Sequence, residues 1–95
     1  MDSLMHPDLT AKARQVVEKN RAAGRRIAVA ESCTGGLVSA ALTEVAGSSA
    51  VFEAGYVTYA NEAKQAALGV SEDVLDTFGA VSVATAWAMA RGALE

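Results

Sequence analysis

The 95 residues are 52% hydrophobic and carry 8 basic against 11 acidic side chains, a net charge of −3. Residues 1–95 therefore read as one small domain, and a lone cysteine excludes an internal disulfide. No window reaches the roughly 18 to 20 uninterrupted apolar residues of a membrane span. Met1 to Pro7 also lack the basic start and apolar stretch of a signal peptide, so a cytoplasmic protein with no membrane partner is expected.

The first predicted element is a helix over 8–23, bracketed by Pro7, a capping Asp8 and Gly24, with Leu9, Ala13, Val16 and Val17 on one face. Six of the eight basic residues (Lys12, Arg14, Lys19, Arg21, Arg25, Arg26) lie within residues 12–26, with Glu18 the one acid among them. They suit a solvated helix face, and cations near its C-terminal end are favoured by the dipole. An acidic total and few aromatics then argue against a nucleic-acid partner.

Arg26-Ile27-Ala28-Val29-Ala30 follows, a short run without polar alternation, the pattern of a strand buried on both faces. It stops at Glu31-Ser32-Cys33-Thr34-Gly35-Gly36, after which Leu37, Ala40, Ala41, Leu42 and Val45 take helical spacing up to Gly47. A loop over 47–50 leads to a second strand over 51–59 around Gly55. Asn61 is placed to cap a helix to Leu68, closed by Gly69, and Ser71 another over 72–78, closed by Gly79. Ser82 opens the last helix, in which Val83, Ala86, Trp87, Ala90 and Leu94 recur at helical spacing. The class is α/β: strand, glycine turn and helix units around a mixed sheet, three-layer-like. Two strands cannot flank the first on both edges, so the sheet is expected to be incomplete in this chain.

Ser32 is the leading candidate for chemistry. It follows a buried strand and precedes a glycine-rich helix entry, which puts its hydroxyl at the carboxyl edge of the sheet, where α/β proteins bind ligands. A Ser/His/Asp arrangement needs a histidine, and the only one, His6, lies in the N-terminus beside Pro7 as an ordinary exposed residue. One histidine, one cysteine and scattered carboxylates give no zinc spacing, so no metal is expected.

Elimination leaves Lys64 as the base, since Lys12 and Lys19 belong to the first helix. A helix N-terminus disfavours an ammonium, and burial acts the same way; the alternative is a surface lysine whose stem covers the helix. Tyr59 either joins that site by its phenol or is a core tyrosine. Cys33 points away from Ser32 in extended geometry, so one of the two faces a substrate. A thiol at a helix N-terminus can be a nucleophile, and Glu31, Lys64 and Cys33 are the residue types of a nitrilase-like amidase; a small packing residue is the alternative. Gly35 and Gly36 admit close backbone approach, and free N–H groups of the first helical turn can hold a phosphate or an oxyanion. A plain tight turn would look the same, and GxGxxG and the P-loop pattern are absent.

Ala30 to Gly36, Gly47-Ser48-Ser49-Ala50-Val51-Phe52, Gly55 to Lys64, Leu68-Gly69-Val70 and Gly79-Ala80-Val81-Ser82 together resemble the CinA C-terminal domain family, in its order and spacing over roughly residues 8–95. The resemblance implies a nicotinamide-nucleotide amidase that hydrolyses the carboxamide of nicotinamide mononucleotide to nicotinate mononucleotide and ammonia, with no cofactor. It matches Ser32 to the family's nucleophile, Lys64 to its base and Tyr59 to the assisting tyrosine. Thr34, Gly35 and Gly36, and less strongly Ser48 and Ser49, are the expected substrate-binding residues. A homo-oligomer is expected. Family members continue with a Ser-Gly-Ile-Ala-Gly-Pro loop and a Lys-Pro-Val-Gly-Thr-Val strand, neither of which occurs here, so the chain reads as the front part of the domain. The competing readings are a non-catalytic nucleotide-binding or regulatory module and a Cys33-dependent amidase.

Overall fold

The computed structural model describes residues 3–94. Helix α1 (Pro7–Ala22) starts with Pro7, whose missing N–H costs nothing in the first turn. Its cap is His6 and not Asp8: the imidazole Nδ1 accepts from the Asp8 N–H at 3.1 Å. The chain continues as β1 (Ile27–Glu31), α2 (Leu37–Thr43), a 3₁₀ turn (Ser48–Ala50), β2 (Phe52–Val57), α3 (Asn61–Leu68), α4 (Glu72–Phe78) and α5 (Val83–Leu94).

β1 and β2 pair in parallel, from Ile27 opposite Phe52 through a register shift to Glu31 opposite Val57. Parallel strands need a crossover, and α2 supplies it. On one face of the sheet Ala13 and Val17 of α1 and Ala41 and Leu42 of α2 are buried with Val51, against Ile27, Val29 and Phe52. On the other, Leu68, Val70, Leu75 and Met89 are buried against Ala30 and Tyr56. The result is three layers, α1–α2, the sheet, and α3–α5, in the α/β class expected; the two strands run parallel, with no antiparallel partner among the described residues.

β1 departs from the doubly buried strand that its apolar run predicts: Ile27 to Ala30 are only half-buried. Its edge away from β2 opens into a groove of about 530 Å³ lined by Ala28 to Ser32, by Val38 of α2 and by Ala90 and Leu94 of α5.

α5 is turned about its axis relative to the sequence expectation. Val83, Trp87 and Leu94 stand 89, 64 and 84% exposed, while Thr85 and Met89 are buried. Gly92 decides the orientation, because a Cβ there would sit 1.9 Å from the Leu68 carbonyl oxygen at the end of α3. Ser82 and Thr85 fix the start: Ser82 Oγ accepts from the Thr85 N–H at 3.1 Å, and Thr85 Oγ1 donates to the Gly79 carbonyl at 2.7 Å. Ser71 caps α4 as expected, accepting from the Val74 N–H. Asn61 does not cap α3; Ala60 holds that position and no side chain caps the helix. No helix among the described residues is long and apolar enough to cross a membrane.

Candidate active site

The parallel ladder ends with Glu31 opposite Val57, so the residues that follow each strand emerge together at the carboxyl edge of the sheet. Glu31 itself is 3% exposed. Its Oε1 accepts from Thr34 Oγ1 at 2.8 Å and the Val38 N–H at 2.9 Å, and its Oε2 from the Ser39 N–H at 2.9 Å and from Ser39 Oγ. Burial pushes this carboxyl upward, but the bonds from the Ser39 hydroxyl and N–H, from Thr34 and from Val38 prevail and hold it below its ordinary value.

That arrangement revises the role expected for the first turn of α2. Its Leu37 N–H donates to the Thr34 carbonyl and its Val38 and Ser39 N–H groups to Glu31, so none of the three is free for a phosphate or oxyanion. The N–H groups of Cys33, Thr34, Gly35 and Gly36, one turn earlier, make no hydrogen bond among the described residues.

Ser32 is half-buried and Cys33 exposed. Cys33 has φ +71°, a left-handed conformation that few residues other than glycine adopt, and Gly35 and Gly36 follow at +62° and +94°. The extended geometry that would separate Ser32 and Cys33 is therefore absent. Both line one cleft of about 240 Å³ with Ala30, Ala80, Val81, Ser82, Ala86 and Met89, and their Oγ and Sγ atoms lie 3.9 Å apart.

Lys64, the fourth residue of α3, is 1% exposed and is not the surface lysine that was the alternative reading. Its Nζ donates to the Tyr59 carbonyl at 3.0 Å, and no carboxylate pairs with it among the described residues. It is not among the residues that line the cleft. Tyr59 is 84% exposed, so it is no core residue, and its contact with Lys64 is made by its carbonyl and not by its phenol. Ser48 and Ser49 precede β2, at the opposite end of the sheet from Ser32; Ser48 is buried with Oγ donating to the Thr43 carbonyl, and Ser49 is exposed. The structure thus brings Ser32, Cys33, Thr34, Gly35 and Gly36 into one turn, sets Tyr59 and Lys64 at the same sheet edge, and leaves Ser48 and Ser49 apart. Glu31, the organiser of the turn, was missed as a cap because it reaches α2 from seven and eight residues upstream, outside local capping rules.

Comparison with known proteins agrees with the sequence motifs. The family model for the CinA C-terminal domain matches residues 9–95. A CinA-like protein of Syntrophobacter fumaroxidans is 56% identical over 78 residues, 82% of this chain and 18% of its own length. One from Shewanella woodyi is 46% identical over 91 residues, 96% of this chain and 22% of its own length. Among solved structures, the competence/damage inducible protein CihA from Agrobacterium tumefaciens superposes with a TM-score of 0.94 at 52% identity, over 98% of this chain and 56% of that one. A CinA superfamily protein from Escherichia coli gives 0.89 at 33% identity, over 98% and 55%. The chain spans about a fifth of these curated relatives and little more than half of these solved chains. It belongs to the CinA C-terminal domain family.

Proposed function

We propose that this chain carries the nucleophile and base of a serine amidase acting on the carboxamide of nicotinamide mononucleotide. The observation that carries the reading is Lys64, a buried lysine with one carbonyl acceptor and no counter-charge. An ammonium brings three donors to that single acceptor, whereas a neutral amine brings two donors and a lone pair, the form in which lysine serves as a general base.

Ser32 gives its proton to Lys64 Nζ as Oγ bonds to the amide carbon. The tetrahedral oxyanion is met by the N–H groups of Cys33 to Gly36, which donate to nothing else. Collapse breaks the C–N bond, Lys64 returns the proton to the nitrogen, and ammonia leaves an ester on Ser32. Water, deprotonated by Lys64, then releases the carboxylate and restores the serine. Tyr59, exposed just after β2, is a second donor to the departing ammonia. The cleft of about 240 Å³ takes the amide-bearing end of a nucleotide; the phosphate end extends beyond it.

A second reading has its own observation: Cys33 Sγ lines the same cleft 3.9 Å from Ser32 Oγ. Ammonia release from nicotinamide mononucleotide, measured on the longest chain its gene encodes, separates the two. The serine reading expects a loss of about 10³-fold or more in Ser32→Ala and near-normal rates in Cys33→Ala. The reverse pattern establishes the thiol. Nucleotide binding without any ammonia establishes a non-catalytic module.

A further inference from the structure

Thr58 is 3% exposed, and its Oγ1 is buried without a hydrogen-bond partner, the one such side-chain atom found among the described residues. A buried hydroxyl left unpaired is costly, and valine would fill the same volume without that cost. The position is as telling as the missing partner. The Thr58 N–H donates to the Glu31 carbonyl at 2.9 Å, which extends the ladder one rung and sets Thr58 across from Ser32. Ala30 and Tyr56, register partners two residues earlier, both pack on the α3–α5 face, and strand alternation puts Ser32 and Thr58 on that face too. Lys64 comes from α3 on the same side, and its amine is bonded to the carbonyl of Tyr59, the residue next to Thr58.

We infer that Thr58 is a positioning residue of this site, whose hydroxyl accepts a hydrogen bond from Lys64 once the amine has taken the proton of Ser32. The inference rests on the amidase reading. Before that transfer the amine donates to the Tyr59 carbonyl, and Thr58 Oγ1 has no hydrogen-bond partner among the described residues. When the Ser32 O–H bond breaks and the third N–H bond forms on Lys64, the ammonium directs one donor to the Tyr59 carbonyl, one to Thr58 Oγ1 and one back to the serine oxygen. Thr58 exchanges no proton. It holds two of the three donor directions together with Tyr59, so that the third faces the nucleophile, and it supplies an acceptor at the step where charge develops.

The test is Thr58→Val and Thr58→Ser in the longest chain the gene encodes, with melting temperature and ammonia release from nicotinamide mononucleotide both measured. Thr58→Val is expected to melt at or above wild type while kcat falls about tenfold, and Thr58→Ser to recover to within about threefold. A hydroxyl with an ordinary structural partner gives the opposite split, a lower melting temperature, and overturns the inference. So does a Thr58→Val enzyme of wild-type kcat. A wild-type protein that releases no ammonia removes the amidase reading itself, and this inference with it.

Discussion

Glu31 and Lys64 are both buried ionisable residues at the carboxyl end of the same two strands, and the chain treats them in opposite ways. Glu31 faces α2 and is surrounded by donors: two hydroxyls and two backbone N–H groups saturate its two oxygens. Lys64 faces the other layer and has one acceptor. A buried charge whose every lone pair is filled holds a structure in place, while a buried polar group left short of partners marks a place where another state is to be accommodated. The glycine turn lies between the two. On one side it is pinned to α2, and on the other it presents Ser32 to the cleft.

The contrast breaks most visibly at Lys64. Lys64→Met keeps the length and removes the amine, so ammonia release should drop by about 10³-fold or more. Stability should hold or rise, because replacing a poorly paired buried polar group by an apolar one of similar shape is commonly neutral or better. Urea unfolding beside the activity assay reads both. A Lys64→Met protein that is destabilised in proportion to its lost activity would make Lys64 a structural residue like Glu31.

At Glu31 the order is reversed. In Glu31→Gln one oxygen becomes an NH₂ group, and whichever way the amide turns it faces a backbone N–H, that of Val38 or of Ser39, which cannot rotate away as a hydroxyl can. Two donors then meet in a buried site. The expected cost is about 2 to 4 kcal/mol of stability by chemical denaturation at neutral pH. A loss within about 0.5 kcal/mol would mean that the four bonds are dispensable.

Much of this was legible in the sequence, and the failures share a cause. The helices at 61–68 and 72–78, the cap at Ser71 and the strand, glycine turn, helix unit follow from local spacing and turn chemistry. The orientation of α5 does not. That helix is apolar nearly all round, with alanine at five of its twelve positions, so periodicity could not choose between the Val83–Trp87 stripe and the Thr85–Met89 stripe. The choice fell to Gly92 against the Leu68 carbonyl, a contact 24 residues apart in sequence. The divergence expected of Ser32 and Cys33 assumed an extended chain, and the left-handed Cys33 cancels it. Lys64 could be reached by elimination, but whether it was buried could not, and Thr58 reads as an ordinary strand threonine until its partners are sought. Local rules place elements; the pairing of buried polar atoms across elements is settled only when the layers close.

The smallest expected effect is the acid sensitivity that Glu31 imparts. Its carboxyl lies below its ordinary value of 4.5 when folded and returns to that value when unfolded. Well above 4.5 both states are ionised and the stabilisation from the four bonds is fully present. As the pH falls below 4.5 the unfolded chain binds the proton first, and stability declines until the pH passes the folded carboxyl's own value. Glu31→Gln has nothing to titrate at this position. The stability gap between wild type and Glu31→Gln, measured by urea unfolding from about pH 7 to about pH 3, should therefore be flat at first and then narrow through the acid range. A gap that stays constant to the lowest pH would mean that the neutral acid is held as well as the carboxylate. The donors around Glu31 would then recognise its shape and not its charge, and the contrast with Lys64 would become one of packing alone.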